Sequence, residues 1–124
     1  PGSSDFQRLT TQDGVLYEAL VRKAVAWSAT GPCGLVVGAT HPEELGHIRS
    51  LAPDLPFLIP GIGAQGGEAK AVVQKGIDHN GGGILVNASR SILYASNGPD
   101  FAEAARRATE ELRETLAQGT VLAS

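Results

Sequence analysis

A chain of 124 residues with 42% hydrophobic and 19% charged residues can bury one modest core, which excludes a multidomain array and a disordered tail. A formal net charge of −3 leaves no basic footprint for nucleic acid, and no apolar run reaches the roughly 18–20 residues of a membrane span. Sixteen glycines, roughly 13% against an average near 7%, call for many tight turns, and the single Cys33 excludes a disulfide within the chain. A lone cysteine fits a reducing compartment, and its place before Gly34-Leu35-Val36-Val37 suggests a small buried hydrophobe. The chain contains no Met and starts at Pro1, so an upstream piece is expected to be missing or removed. The opening stretch, with Asp5 and Arg8 among mixed polar residues, has no signal-peptide pattern.

In chain order, Leu16, Ala19, Leu20, Ala24 and Trp27 recur at three- and four-residue spacing and predict a helix from about Val15 to Ser28. Gly31-Pro32 ends it, and Cys33 to Val37 reads as a short strand. Thr40 is a candidate N-cap, with Pro42 in the first turn and Glu43 completing a capping box, for a helix from Pro42 to Leu51. Phe57-Leu58-Ile59 predicts a second strand. It ends in the glycine-rich loop Pro60 to Gly67, after which Ala69, Val72 and Val73 mark a helix closed by Gly76. Ile84 to Asn87 predicts a third strand, and a long final helix starts near Asp100, with Phe101, Ala104, Ala105, Ala108, Leu112 and Leu116 on one stripe. Continuous apolar strands alternating with amphipathic helices predict parallel strands buried on both faces. Three such strands cannot close a barrel and leave both edges unpaired, so the sequence reads as part of a larger α/β sheet.

Ligands of parallel α/β folds bind beyond the carboxyl ends of the strands. Three turns meet that condition: Gly38-Ala39-Thr40, the Pro60 to Gly67 loop, and Asn87-Ala88-Ser89-Arg90. The second is the richest, because glycines admit a ligand to the backbone and amides opening a helix attract an anion. Gln65 could donate its amide, and Arg90 offers a planar fork suited to phosphate, although a surface salt bridge would explain Arg90 equally. Gly61, Gly63 and Gly66 also satisfy G-x-G-x-x-G, but a dinucleotide fold wants an acidic residue after the next strand, and Asn87 to Arg90 holds none. A tight turn without a ligand is the plain alternative for this loop. His41, His47 and His79 are too scattered for a metal motif and read as surface residues. Glu43-Glu44 suits a helix N-terminus, and the charges from Arg106 to Glu114 suit a solvated helix face. Lys23, Lys70 and Lys75 have no companion that would single one out as a catalytic base.

The loop Pro60 to Gly67, followed by Val86-Asn87-Ala88-Ser89-Arg90-Ser91-Ile92-Leu93-Tyr94-Ala95, resembles the orotidine 5′-phosphate decarboxylase family. The turn Val36 to Leu45 points to its bacterial subgroup with the longer chain, and Pro1 to Gln7 resembles the segment just after the fifth barrel strand. The resemblance implies the C-terminal part of a (β/α)8 TIM barrel, with strands six to eight and their flanking helices. Residues 1–124 would then be the C-terminal half of one barrel domain whose N-terminal half is absent from this chain. It implies that Gln65, Gly66 and Gly67 bind the substrate phosphate with Arg90 paired against it, and that Pro60 and Ile62 line the pyrimidine side. The implied activity is decarboxylation of orotidine 5′-phosphate to uridine 5′-phosphate in pyrimidine synthesis, in the cytoplasm, by a homodimer without metal or cofactor. The family's catalytic Lys and Asp array lies on strands two and three, so no catalytic residue is expected here. The alternatives are an inactive phosphate-binding half-barrel that self-associates, or another sugar-phosphate barrel enzyme such as an epimerase or ketogulonate-phosphate decarboxylase.

Overall fold

The structure is a computed structural model and describes residues 3–62 and 66–121. Its first part is a short helix α1 (Ser3–Gln7), a two-stranded antiparallel hairpin of β1 (Thr10–Thr11) and β2 (Gly14–Val15), and helix α2 (Leu16–Ser28). Three β-α steps follow: β3 (Leu35–Val36), α3 (Pro42–Leu51), β4 (Phe57–Pro60), α4 (Gly66–Gly76), β5 (Ile84–Asn87), a one-turn helix α5 (Arg90–Leu93) and the long α6 (Phe101–Val121). β3, β4 and β5 form one parallel sheet in chain order, with Leu35 opposite Phe57 and Leu58 opposite Leu85.

Sequence and structure agree on the three parallel strands and the four main helices. The hairpin, α1 and α5 are additional, being too short to carry a hydrophobic period.

Alternation along the strands sorts the core. Phe57 and Ile59 have no exposed surface, and with Leu35, Val37, Ile84 and Val86 they point toward the helices. Leu45 of α3 and Val72 and Val73 of α4 meet them, and Leu112 and Leu116 of α6 pack on the outside. Each fully buried side chain of this size contributes about 1.5–3 kcal/mol. The opposite face is a correction to the sequence reading, which buried both. Val36, Leu58 and Leu85 are 71%, 41% and 66% exposed. No described element lies over them, so a continuous apolar strand here reports a two-sided environment of which only one side is present.

Three further expectations change. In α2 the buried residues are Val21 and Ala24, whereas Leu16, Leu20 and Trp27 of the predicted stripe are 39%, 59% and 56% exposed. The helix turns Val21 into the core together with Ala24 of the predicted stripe and leaves Leu16, Leu20 and Trp27 of that stripe exposed. The capping box at Thr40 does not form either. His41 occupies the N-cap position of α3 without a side-chain hydrogen bond, and Pro42 starts the helix with the φ it already prefers. Cys33 is half-buried against the core rather than fully buried.

Candidate phosphate-binding site

The carboxyl ends of β4 and β5 lie side by side, with Pro60 in register with Asn87. One further hydrogen bond, from the Gly61 amide to the Asn87 carbonyl at 3.1 Å, fastens the two chains where their loops diverge. Gly61 takes φ +80°, which a residue with a Cβ enters only at a cost, so the loop after β4 can turn away at this point. It returns as α4, which opens at Gly66. Gly66 and Gly67 are the first described residues of that helix, and the amides of a helix's first turn lack intrahelical carbonyl partners and sit at the positive end of its dipole. Gln65 lies outside the described residues, so its expected place is not tested.

Beyond β5 the chain enters α5 at Arg90, whose exposed side chain has no hydrogen bond or ion pair among the described residues. Arg8, Arg22, Arg49, Arg106 and Arg107 have such partners, whereas Arg113 on α6, like Arg90, has none among the described residues. The sequence-level rival for Arg90, a surface salt bridge, thus has no acceptor among the described residues. Pro60 is half-buried at the strand end. Ile62 is 3% exposed and belongs to the hydrophobic core, where it anchors the start of the loop.

The three histidines are exposed, as expected, though two have acidic neighbours: Glu18 at 2.9 Å from His47 and Asp54 at 3.8 Å from His79. The hydrogen bond from His47, with Arg22 beside it, holds the Glu18 carboxyl below the usual range. Among the described residues no group of three or more His, Cys, Asp and Glu could hold a metal, and no helix is long and apolar enough to cross a membrane.

The residue that sequence reasoning missed lies at the other end of the sheet. Arg49 of α3 is 8% exposed and donates to the carbonyls of Gly76, Ala52, Pro53, Leu55 and Gly83 at 2.7–3.2 Å. Its guanidinium lies 3.6 Å from the centre of the Phe57 ring. Burial lowers its pKa from the ordinary value, opposed by the charges of Asp78 and Asp54. A signal was available: Arg49 falls between Leu45 and Ala52 on the apolar face of α3, where a charge must find partners.

Parallel strands paired in chain order and joined by crossover helices define a segment of a β/α barrel. Comparison with known proteins gives the family. Residues 1–108 match the model of the orotidine 5′-phosphate decarboxylase / HUMPS family, and the chain belongs to it. It is 50% identical over 117 residues to an orotidine 5′-phosphate decarboxylase of Azoarcus sp. (strain BH72) and 51% identical over 121 residues to one of Polaromonas naphthalenivorans (strain CJ2). Each match covers 94% of this chain and 43% of the relative, so the chain spans less than half the length of these curated relatives. The structure of Leishmania donovani OMP decarboxylase superposes with a TM-score of 0.72 at 38% identity, over 94% of this chain and 44% of that one. The fold is accordingly that of part of a (β/α)8 barrel.

Proposed function

We propose that this chain supplies the phosphate-gripping part of an enzyme that decarboxylates orotidine 5′-phosphate to uridine 5′-phosphate. One observation carries the reading: the loops after β4 and β5 leave from hydrogen-bonded strand ends, one opening a helix at Gly66 and the other presenting Arg90, whose side chain has no partner among the described residues. A phosphate between them would accept from the amides of Gly66 and Gly67 and from the Gln65 side chain, with the Arg90 fork against its other oxygens. Pro60 would face the pyrimidine side, and Ile62, buried in the core, would serve that side by seating the loop.

This grip lies away from the bond that breaks. Its binding energy lowers the barrier only if it also holds the pyrimidine against groups that crowd the departing carboxylate and protonate the carbon left behind. Those groups, an array of Lys and Asp, belong to the remainder of the barrel. Residues 1–124 would form the C-terminal half of a single barrel domain, and the completed barrel would act as a cytoplasmic homodimer without metal or cofactor.

Titration calorimetry with uridine 5′-phosphate, using uridine as the ligand without phosphate, tests the grip. The nucleotide should bind more tightly than the nucleoside, and Arg90→Ala should remove most of that difference. Equal affinity for both ligands, or unchanged nucleotide affinity in Arg90→Ala, would overturn the reading. For the reaction itself, release of carbon dioxide from orotidine 5′-phosphate by this chain combined with the remainder of the barrel is the measurement. No release would refute the assignment.

A further inference from the structure

The sequence contains two Asn-Gly pairs, Asn80-Gly81 and Asn97-Gly98. Asparagine is chemically labile, and a following glycine has no side chain to keep its main-chain nitrogen away from the asparagine amide. Both asparagines are exposed. In both pairs the glycine amide already donates a hydrogen bond at 3.0 Å, Gly81 to the Asp78 carbonyl and Gly98 to the Ser96 hydroxyl. In access and in the state of the attacking nitrogen the two pairs are alike.

They differ in what faces the nitrogen that would leave. The side-chain nitrogen of Asn80 lies 3.1 Å from Nε2 of His79. Nδ1 of the same ring lies 3.8 Å from the Asp54 carboxylate, which turns Nε2 toward Asn80. The main chain of Asn80 is held as well, because its amide donates to the Asp78 carboxylate at 2.8 Å beside the Gly82 amide at 2.9 Å. Asn97 has no side-chain hydrogen bond among the described residues, so no imidazole faces its amide. The carboxylate of its turn, Asp100, is engaged by the Ser96 hydroxyl at 2.6 Å.

We propose that Asn80-Gly81 is a self-modification site, at which Asn80 loses its side-chain amide through a cyclic imide with His79 as the proton donor. The Gly81 nitrogen leaves the Asp78 carbonyl, gives its proton to solvent and attacks Cγ of Asn80. As that bond closes the ring, the bond from Cγ to Nδ2 breaks. His79 in its protonated form delivers from Nε2 the proton with which the nitrogen departs as ammonia, and the ring regains a proton from solvent. Water then opens the imide at either carbonyl. One opening gives aspartate, and the other gives isoaspartate, with the main chain rerouted through the side chain. The sum is an amide and water giving a carboxylate and ammonium, so no oxidant or cofactor is consumed.

Isoaspartate adds a main-chain carbon to the turn between Asp78 and Gly83. The bonds that close this turn, from Gly81 to the Asp78 carbonyl and from Asp78 to the Gly82 carbonyl at 2.9 Å, would no longer match. The turn leads into the Gly83 carbonyl, which Arg49 and the Phe57 amide share. The modification therefore loosens the amino end of the sheet and spares the carboxyl end, where the phosphate grip is proposed.

The test holds the intact 124-residue protein at neutral pH and body temperature for days and follows both pairs in one sample by peptide mapping with mass spectrometry. The Asn80 peptide should gain one mass unit and split into two products. It should convert roughly tenfold or more faster than the Asn97 peptide, a modest part of the roughly 10²–10⁴-fold that a positioned proton donor contributes. His79→Gln keeps a hydrogen-bonding side chain but delivers no proton, and should bring Asn80 down to the rate of Asn97. Asp54→Asn should slow Asn80 by a smaller factor. Both positions are exposed, so these variants keep the fold. Short synthetic peptides spanning each pair lack Asp54 and the turn, and their two rates should lie closer together than those in the protein. Equal rates for the two pairs in the protein, an unchanged Asn80 rate in His79→Gln, or the same ratio in the peptides would each overturn the proposal. The converted protein, separated by its added negative charge, should unfold at lower urea than fresh protein, and an equal midpoint would overturn the loosening.

Discussion

At the amino ends of β4 and β5 five carbonyl oxygens converge on the Arg49 guanidinium, while at the carboxyl ends of the same strands Arg90 has no acceptor among the described residues. Both residues begin a loop-helix transition or lie close to one, and both are arginines, yet their surroundings are opposite. Around Arg49 the chain satisfies itself: helix ends, strand entries and the Phe57 ring close on one cation. The turn from Asp78 to Gly83 continues this, with the Asp78 carboxylate accepting from the amides of Asn80 and Gly82 at 2.8 and 2.9 Å. At the carboxyl ends the chain leaves a helix start and a guanidinium free to meet a ligand. One end of the sheet closes on itself, and the other is the end at which β/α barrels carry their sites and at which the proposed phosphate grip lies.

The strongest way to break this comparison is to remove Arg49. Arg49→Met removes five hydrogen bonds to carbonyls, of which Gly83 alone keeps a second donor among the described residues, the Phe57 amide, and should cost on the order of 3 kcal/mol, read as a lower urea midpoint. A loss below about 1 kcal/mol would show that the closed end matters little. Arg90→Ala should do the reverse. Stability should move by less than about 0.5 kcal/mol, as at an exposed site, while uridine 5′-phosphate affinity falls roughly 10- to 150-fold for a lost charge-assisted bond. A large fall in the melting temperature of Arg90→Ala would mean that this arginine also belongs to the scaffold.

Two glycines sharpen the contrast at smaller amplitude. Gly61 and Gly83 both hold positive φ, at +80° and +75°. A Cβ on Gly61 meets nothing within 4 Å, so Gly61→Ala should cost only the backbone strain, about 1–2 kcal/mol. A Cβ on Gly83 would lie 2.6 Å from an oxygen of Asp78, whose carboxylate is held by two amides. Gly83→Ala should therefore be the more destabilising of the two in urea melts, and equal losses would contradict this packing.

The smallest expected effect is on pH. Hydrogen bonds from Gly82 and Asn80 hold the Asp78 carboxyl below the usual range, against the opposing effect of burial. Its folded pKa lies below the unfolded one, so its contribution is present above the unfolded value, near 4, and is lost as pH falls through the folded value. Asp78→Asn should flatten the decline of the urea midpoint between neutral pH and about pH 3. An identical decline in both proteins would remove Asp78 from the acid response.

Much of this was legible in the residues. The helix start signalled by Pro42, the β-favouring run Phe57 to Ile59 and the apolar helix residues Ala69, Val72 and Val73 after the glycine cluster gave helix, strand and helix in the right order. Parallel pairing followed from their alternation. The candidate site was legible because its chemistry is carried by neighbours in sequence: a glycine-rich helix start and an arginine just past the next strand. Arg49 was not, because its acceptors are carbonyls scattered from Ala52 to Gly83 and a carbonyl has no residue type to read.

Local pattern alone settled which stretches would be strands and which helices, since a side chain's apolar period depends only on its neighbours along the chain. The tertiary structure decided which side of each element is covered. It turned α2 onto Val21 and Ala24, exposing Leu16, Leu20 and Trp27 of the predicted stripe, and left Val36, Leu58 and Leu85 in the open. A hydrophobic period says that a face must be buried but not what buries it, and coverage depends on segments distant in sequence.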